Sequence, residues 1–323
     1  MRRWSILVAL LAALALPGCG DDDNGTPDDG GTDDVEIGAD ADADADVEPD
    51  VPADVPADVE PDVPADVPAD TPADVADVPV DPWDVVVNVE EGTTVTPVNL
   101  SAIPRTVIGT DEGVLLSDVV DAAVLEATRW PNTYDFIGND GYDPLVERLE
   151  NNRGRLPFYG ELELGYLYWD TGSSSLRINW DASLGFPGSL RVQGMDGGTI
   201  RLMPMTAAEL LVRGGGGRAL VDLSTLTTVN VVDPRHPEDG EQPMVPLTDV
   251  LTAAAVTGAD ALVYRCYGSD GYTYADDNLM PYANLQHAYV KPADRGVVLE
   301  DGFDSTVRSW RSRDTVVLLG LTP

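Results

Sequence analysis

The stretch VPLTDVLTAAAVTGADALVYRCYGSDGYTY, residues 245–274, holds the plan of the folded part. Thr248 is placed to cap a helix, and Asp249 falls in its first turn, where a helix favours negative charge. A short alanine-rich helix with one apolar face follows, then the strand-like LVYRCYG. Ser-Asp-Gly then makes a tight turn, because glycine takes a positive φ without strain, and Tyr272 leads out of it. The same order occurs earlier in the chain. VLLSDVVDAAVL (114–125) matches VPLTDVLTAAAV (245–256), and YDFIGNDGYDP (134–144) matches YRCYGSDGYTY (264–274). In the earlier copy Ser117 is the expected cap and Asp118 the first-turn acid.

Two flanking blocks keep the register. VNLS (98–101) pairs with VDLS (221–224), and LPFYGELELGYL (156–167) with LMPYANLQHAYV (279–290). Four blocks in one order imply a tandem duplication. The segments LYWD (167–170), LRINWD (176–181), SLRVQGM (189–195) and TIRLMP (199–204) read as strands separated by Gly and Pro. GVVLE (296–300), STVRSW (305–310) and DTVVLLGL (314–321) close the second copy in the same way. The expected fold class is α+β and β-rich, with two tandem similar units, each a short capped helix and several strands. The units span 85–212 and 219–323, with RGGGGR (213–218) as the hinge. No Lys-Ser or Lys-Thr follows those glycines, so they do not form a phosphate loop.

Ahead of the units the chain changes character twice. Met1 to Ser5 is short and basic, and Ile6 to Leu16 is a run of eleven apolar residues, too short to span a bilayer comfortably. This is the pattern of a secretory signal peptide over 1–18. From Gly20 to Asp84 there is no Lys or Arg, and 24 of the 57 acidic residues lie there. VPAD recurs at 51, 55, 63 and 67, with VEPD at 47 and 59. Such a tract cannot bury enough apolar surface to offset ordering, its charges repel, and its prolines favour extended polyproline II. Residues 19–84 are therefore expected to be a disordered stalk, reaching at most on the order of 190 Å at ~3.1 Å per residue. An extended tract points its carboxylates apart, which disfavours a defined calcium site, since calcium wants six to eight converging oxygens.

Composition bounds the rest. Residues 85–323 carry 33 acidic and 17 basic side chains, a net charge of about −16, so a nucleic-acid partner is not expected. After Cys19 the only cysteine is Cys266, which reads as a small buried hydrophobe in a strand, and no intrachain disulfide of the folded part is possible. The two histidines, His236 and His287, cannot make a three-histidine zinc site. Asn139, Asp140 and Asp143 are the candidate metal ligands, and they lack the full spacing of an EF-hand loop. Asp140 with Asp143, and Asp276 with Asp277, read as solvated turn acids, with acid–base work or a hard cation as the alternative. Tyr166, Tyr168, Trp169 and Trp180 read as packing residues, with a sugar- or peptide-binding face as the alternative.

Two resemblances follow from these residues. Leu16-Pro17-Gly18-Cys19 resembles the lipobox of bacterial lipoproteins, with Pro17 a mild departure. It implies a diacylglyceryl group on Cys19, cleavage after Gly18 and an acylated new amine. With Gly20 rather than aspartate after the cysteine, it implies the outer membrane. The segments 245–274 and LRINWDASLGFPGSLRVQGMDGGTIRL resemble the molybdopterin-binding domain of sulfite-oxidase-type oxidoreductases. That family binds molybdenum through a cysteine upstream of the capped helix, where neither unit has one. The basic residues nearby are only Arg265, Arg295 and Arg308. The expectation is therefore a membrane-anchored lipoprotein whose unit pair serves binding or structure, without catalytic residues or cofactor, toward an unidentified protein or small-molecule ligand. The alternatives are an oxidoreductase-like enzyme with a molybdopterin-type cofactor and a calcium-dependent adhesin.

Overall fold

In the computed structural model, which describes residues 81–108, 111–273, 279–300 and 314–323, each block of the repeat becomes the same element twice. The leader, Cys19 and the stalk up to residue 80 lie outside the described residues. So do 305–310 with Arg308, and Asp276 and Asp277.

The first half begins with a hairpin of β1 (Val86–Glu91) and β2 (Thr94–Asn99). β3 (Thr106–Ile108) and β4 (Asp111–Leu115) follow, then α1 (Leu116–Ala123), α2 (Glu126–Arg129) and β5 (Asn132–Ile137). After α3 (Pro144–Glu147) and α4 (Tyr159–Leu162) come β6 (Gly165–Asp170), β7 (Ser175–Trp180) and β8 (Thr199–Pro204). The second half repeats this with β9 (Glu209–Gly214), β10 (Gly217–Asp222), β11 (Val229–Val232), β12 (Glu241–Pro246), α5 (Leu247–Ala253) and β13 (Val263–Gly268). It ends with β14 (Met280–Pro281), α6 (Tyr282–Leu285), β15 (Ala288–Val290), β16 (Val297–Leu299) and β17 (Thr315–Leu321).

The topology coincides strand for strand. The first half makes sheets β2-β1-β8-β5 and β3-β4-β6-β7; the second makes β10-β9-β17-β13, extended by β14, and β11-β12-β15-β16. In each half the last strand returns parallel to the first and antiparallel to the strand before the Asp-Gly turn. The α+β, β-rich pair of similar units is thus the observed fold.

Local chemistry repeats as well. Asn99 and Asp222 each accept from the backbone two residues on, at 2.9 Å, and so cap a single 3-10 turn. At the Asp-Gly turns, Gly141 (φ +85°) and Gly271 (φ +78°) donate back to Gly138 and Gly268. Asp140 and Asp270 each accept from the tyrosine N–H two residues on at 3.0 Å. Tyr134 and Tyr264 are buried, and each hydroxyl donates at 2.7 Å to the carbonyl five residues back, of Arg129 and of Ala259.

The helix caps differ from expectation. The helices start two residues earlier, so the cap positions are Leu115 and Pro246, and neither gives a side-chain cap. Each helix grows directly out of a strand end, which puts Leu116 or Leu247 into the core as the first helical residue and draws Ser117 inward. Asp118 and Asp249 do lie in the first turns. Burial, followed by Asp121, raises the Asp118 carboxyl above its ordinary range.

SLRVQGM is not a strand: residues 188–190 form a 3-10 turn, and the segment keeps only a bridge from Gln193 to Arg177. Val192 and Met195 bond to Ile178 and Leu176 along the edge of β7 instead. The stalk boundary also moves. Trp83 is buried in the first core, with its N–H on Asp81 and Arg105 over its ring, so the folded part includes residues 81–84.

RGGGGR is not a hinge. It is the tip of the β9–β10 hairpin, with Gly217 paired to Gly214 and Gly215 at φ +52°. Each half has its own core, one around Val89, Tyr134, Phe136 and Ile200, the other around Val212, Tyr264, Cys266 and Leu318. A third cluster joins them: Phe158 and Met205 from the first half with Leu211, Val316 and Val317 from the second. Trp130 stacks on Tyr267 across this seam, with ring centroids 4.9 Å apart. Two glycines permit the approach. A Cβ on Gly154 would lie 2.5 Å from the Leu220 nitrogen, and one on Gly271 would strike the Trp130 indole.

Candidate functional site

The seam is built around a buried ion triplet. Arg213 sits in β9 within an otherwise apolar run, 2% exposed, and its two terminal nitrogens donate to the carbonyls of Gly154 and Leu156 in the first half. Its Nε lies 3.6 Å from Glu161 Oε1. Burial holds the Arg213 guanidinium down at about 10, while Glu161 pulls it upward. Glu161, in α4, is 5% exposed and turns Oε2 back to the Phe158 N–H at 3.2 Å. Arg218, in β10, donates through Nη2 to Glu161 Oε1 at 2.9 Å and to the Leu184 carbonyl at 2.7 Å. Its guanidinium lies over the Phe186 ring at 4.2 Å, a cation–π distance.

Beside this triplet a cleft of about 650 Å³ opens between the halves. Its apolar wall is Phe158, Leu164, Leu184, Tyr267, Leu319 and Leu321. Gly214, Gly216 and Gly217 of the hairpin tip form one rim, and Ser183 and Gly185 another. The glycines dismissed as a phosphate loop therefore border the cleft. The sequence did hold a signal for the arginines, since Arg213 interrupts the apolar run of ELLVRG and Arg218 closes the glycine tract.

A second, more polar cavity of about 390 Å³ lies within the second half, lined by Asp233, Arg235, His236, Lys291, Asp294 and Asp314. Asp233 is 1% exposed. Arg235 grips it with Nε and Nη2 at 3.2 Å each, and Lys291 Nζ reaches it at 3.3 Å. Burial works against ionisation of Asp233, yet the Arg235 backbone N–H and guanidinium, with Lys291, hold its carboxyl below the usual range. Arg235 also donates to the Val297 carbonyl, so these charges pin the 233–240 loop to the sheet.

The three metal candidates serve local structure and do not converge. Asn139 donates its side-chain amide to the Asp196 carbonyl, Asp140 closes its own turn, and Asp143 caps α3 by accepting from Val146. Among the described residues no group of three or more His, Cys, Asp or Glu is placed to hold a metal ion. Cys266 is 1% exposed inside the second core, which matches its reading as a small buried hydrophobe in a strand. Arg295, considered as a pterin clamp, is 6% exposed and donates to Asp314 and to the carbonyls of Thr206 and Glu209. Trp180 is core and donates to the Leu190 carbonyl; Tyr166 is buried and accepts from Asn179, while Tyr168 and Trp169 are half-buried. The histidines stand apart on separate carboxylates, His236 on Glu238 and His287 on Glu300.

None of the described helices is long and apolar enough to cross a membrane. No known protein family, no curated protein and no solved structure matches the chain.

Proposed function

We propose that this chain is a lipid-anchored protein of the bacterial cell envelope that holds a non-catalytic binding module away from the membrane on its acidic stalk. In this reading the module takes a small ligand in the seam cleft. The observation that carries the binding part is the cleft itself. It offers a concave apolar wall with a few convergent polar groups, the usual form of a small-molecule site. Its volume falls in the range of roughly 300–1,000 Å³ typical of such sites. Binding is favoured over catalysis because the carboxylate at the cleft, Glu161, is already held by two guanidinium groups and the Phe158 N–H, and so is not free to act as acid or base. The pterin alternative is not carried forward, since neither half has a cysteine upstream of its strand-borne helix to ligate molybdenum.

The anchor rests on Leu16-Pro17-Gly18-Cys19 and on the charge-repelling tract behind it. One acyl chain binds a membrane only marginally and several bind stably, which is the physical reason for multiple acylation at one residue. Mass spectrometry of the mature N-terminus tests this. The expected result is an acylated Cys19 as first residue, lost together with membrane fractionation in Cys19→Ser. A mature chain that begins elsewhere without lipid refutes the anchor.

A further inference from the structure

We infer that the seam cleft selects a small monocarboxylate with an apolar body; this rests on the binding reading above. The inference comes from the charge balance of the lining. Among the described residues three charged side chains border the cleft, Arg213, Arg218 and Glu161, so two cations share one carboxylate. This single excess positive charge sits in a chain whose formal net charge is −38.

The two arginines are not equivalent. Arg213 is fully enclosed and spends both terminal nitrogens on carbonyls of the first half. Arg218 is only partly covered, with its side chain 22% exposed. Its Nη2 is used twice, but its Nη1 is buried with no hydrogen-bond partner among the described residues. A carboxylate that enters against the exposed part of this guanidinium gains a charge-assisted bond to the cation bordering the cleft. The surrounding leucines and the aromatic rings of Phe158 and Tyr267 cannot solvate an anion. They suit the apolar body of the ligand and lower the local dielectric, which strengthens the ionic contact. An ammonium ligand meets the reverse situation, because Glu161 is already shared by two guanidinium groups and the Phe158 N–H.

The test is calorimetric titration of the purified full chain with matched probes on two bodies: phenylacetate, phenylacetamide and phenethylamine, then octanoate, octanamide and octylamine. At least one acid should bind on the order of tenfold or more tighter than its amide and amine, a difference of about 1.4 kcal/mol per tenfold. Arg218→Met should erase the preference for the acid while leaving amide binding within about threefold, a readout that general loosening of the cleft would not give. Ser183→Trp, at an exposed rim position, should block every probe. An amide or amine that binds as well as its acid, and is blocked by Ser183→Trp, overturns the carboxylate inference and leaves the cleft reading standing. Absence of binding by all probes, or binding indifferent to Ser183→Trp, overturns both.

Discussion

Asp135 offers the sharpest test of the packing described above. Its side chain is completely buried on β5, and neither carboxylate oxygen has a hydrogen-bond partner among the described residues. Its nearest counter-charge is Arg201 Nη1 at 3.7 Å. That guanidinium is also 3.4 Å from Asp143 and 3.5 Å from Glu90, so one cation serves three carboxylates. Burial, and then the Asp143 charge, push the Asp135 carboxyl from 3.8 up to about 7. The folded state therefore holds a proton that the unfolded chain releases near 3.8. The stability linked to that proton is fully present below 3.8, falls as pH rises toward about 7, and stays lost above it. A shift of about three units at ~1.36 kcal/mol each sets a ceiling of about 4 kcal/mol. Relaxation of the buried site brings the expected effect to the order of 2 kcal/mol. Asp135→Asn keeps the shape and removes the charge. Urea unfolding at pH 4.5, 6 and 8 is the assay, read as the difference between parent and variant so that other carboxylates cancel. The excess of the variant over the parent should be small at pH 4.5 and grow to about 2 kcal/mol at pH 8. A variant that is less stable at pH 8, or a difference that does not change with pH, refutes the reasoning.

Two further predictions concern the duplication and the seam. Tyr134→Phe and Tyr264→Phe each remove one buried hydroxyl bond to a carbonyl five residues back, so both should cost about 1 kcal/mol in urea unfolding. A cost at one site only would break the equivalence of the halves. Gly271→Ala meets both a positive φ and the Trp130 indole, whereas Gly92→Ala meets a positive φ in open space. The first should cost more than 2 kcal/mol and alter the near-ultraviolet signal of Trp130, and the second about 1 kcal/mol with no spectral change.

Within each half, much was legible in the sequence. The four repeated blocks fell on equivalent elements because they encode local geometry: an Asx-capped 3-10 turn, a helix leaving a strand, an Asp-Gly turn. What joins the halves was not legible, because the seam pairs unlike surfaces that repeat matching passes over. By strand register Arg213 occupies the place of Glu90 in the first half, and Phe158 aligns with Pro281. The partners of Arg213 lie 57 and 59 residues earlier, on carbonyls that carry no side-chain signature. The glycine tract misled for a related reason. Four glycines permit a hinge or a tight hairpin equally well, and only pairing of the flanking strands decides between them. Asn139, Asp140 and Asp143 looked like ligands because acids and amides of turns have the same composition as cation sites, while Asn139 donates its amide to a carbonyl and Asp140 and Asp143 accept from nearby backbone.

The account turns on where a ligand sits, and nuclear Overhauser contacts between bound phenylacetate and methyl-labelled full chain measure that directly. The predicted contacts are to Leu164, Leu184 and Leu319 and to the ring of Tyr267. Contacts confined to the cavity around Asp233 and Lys291 would contradict it.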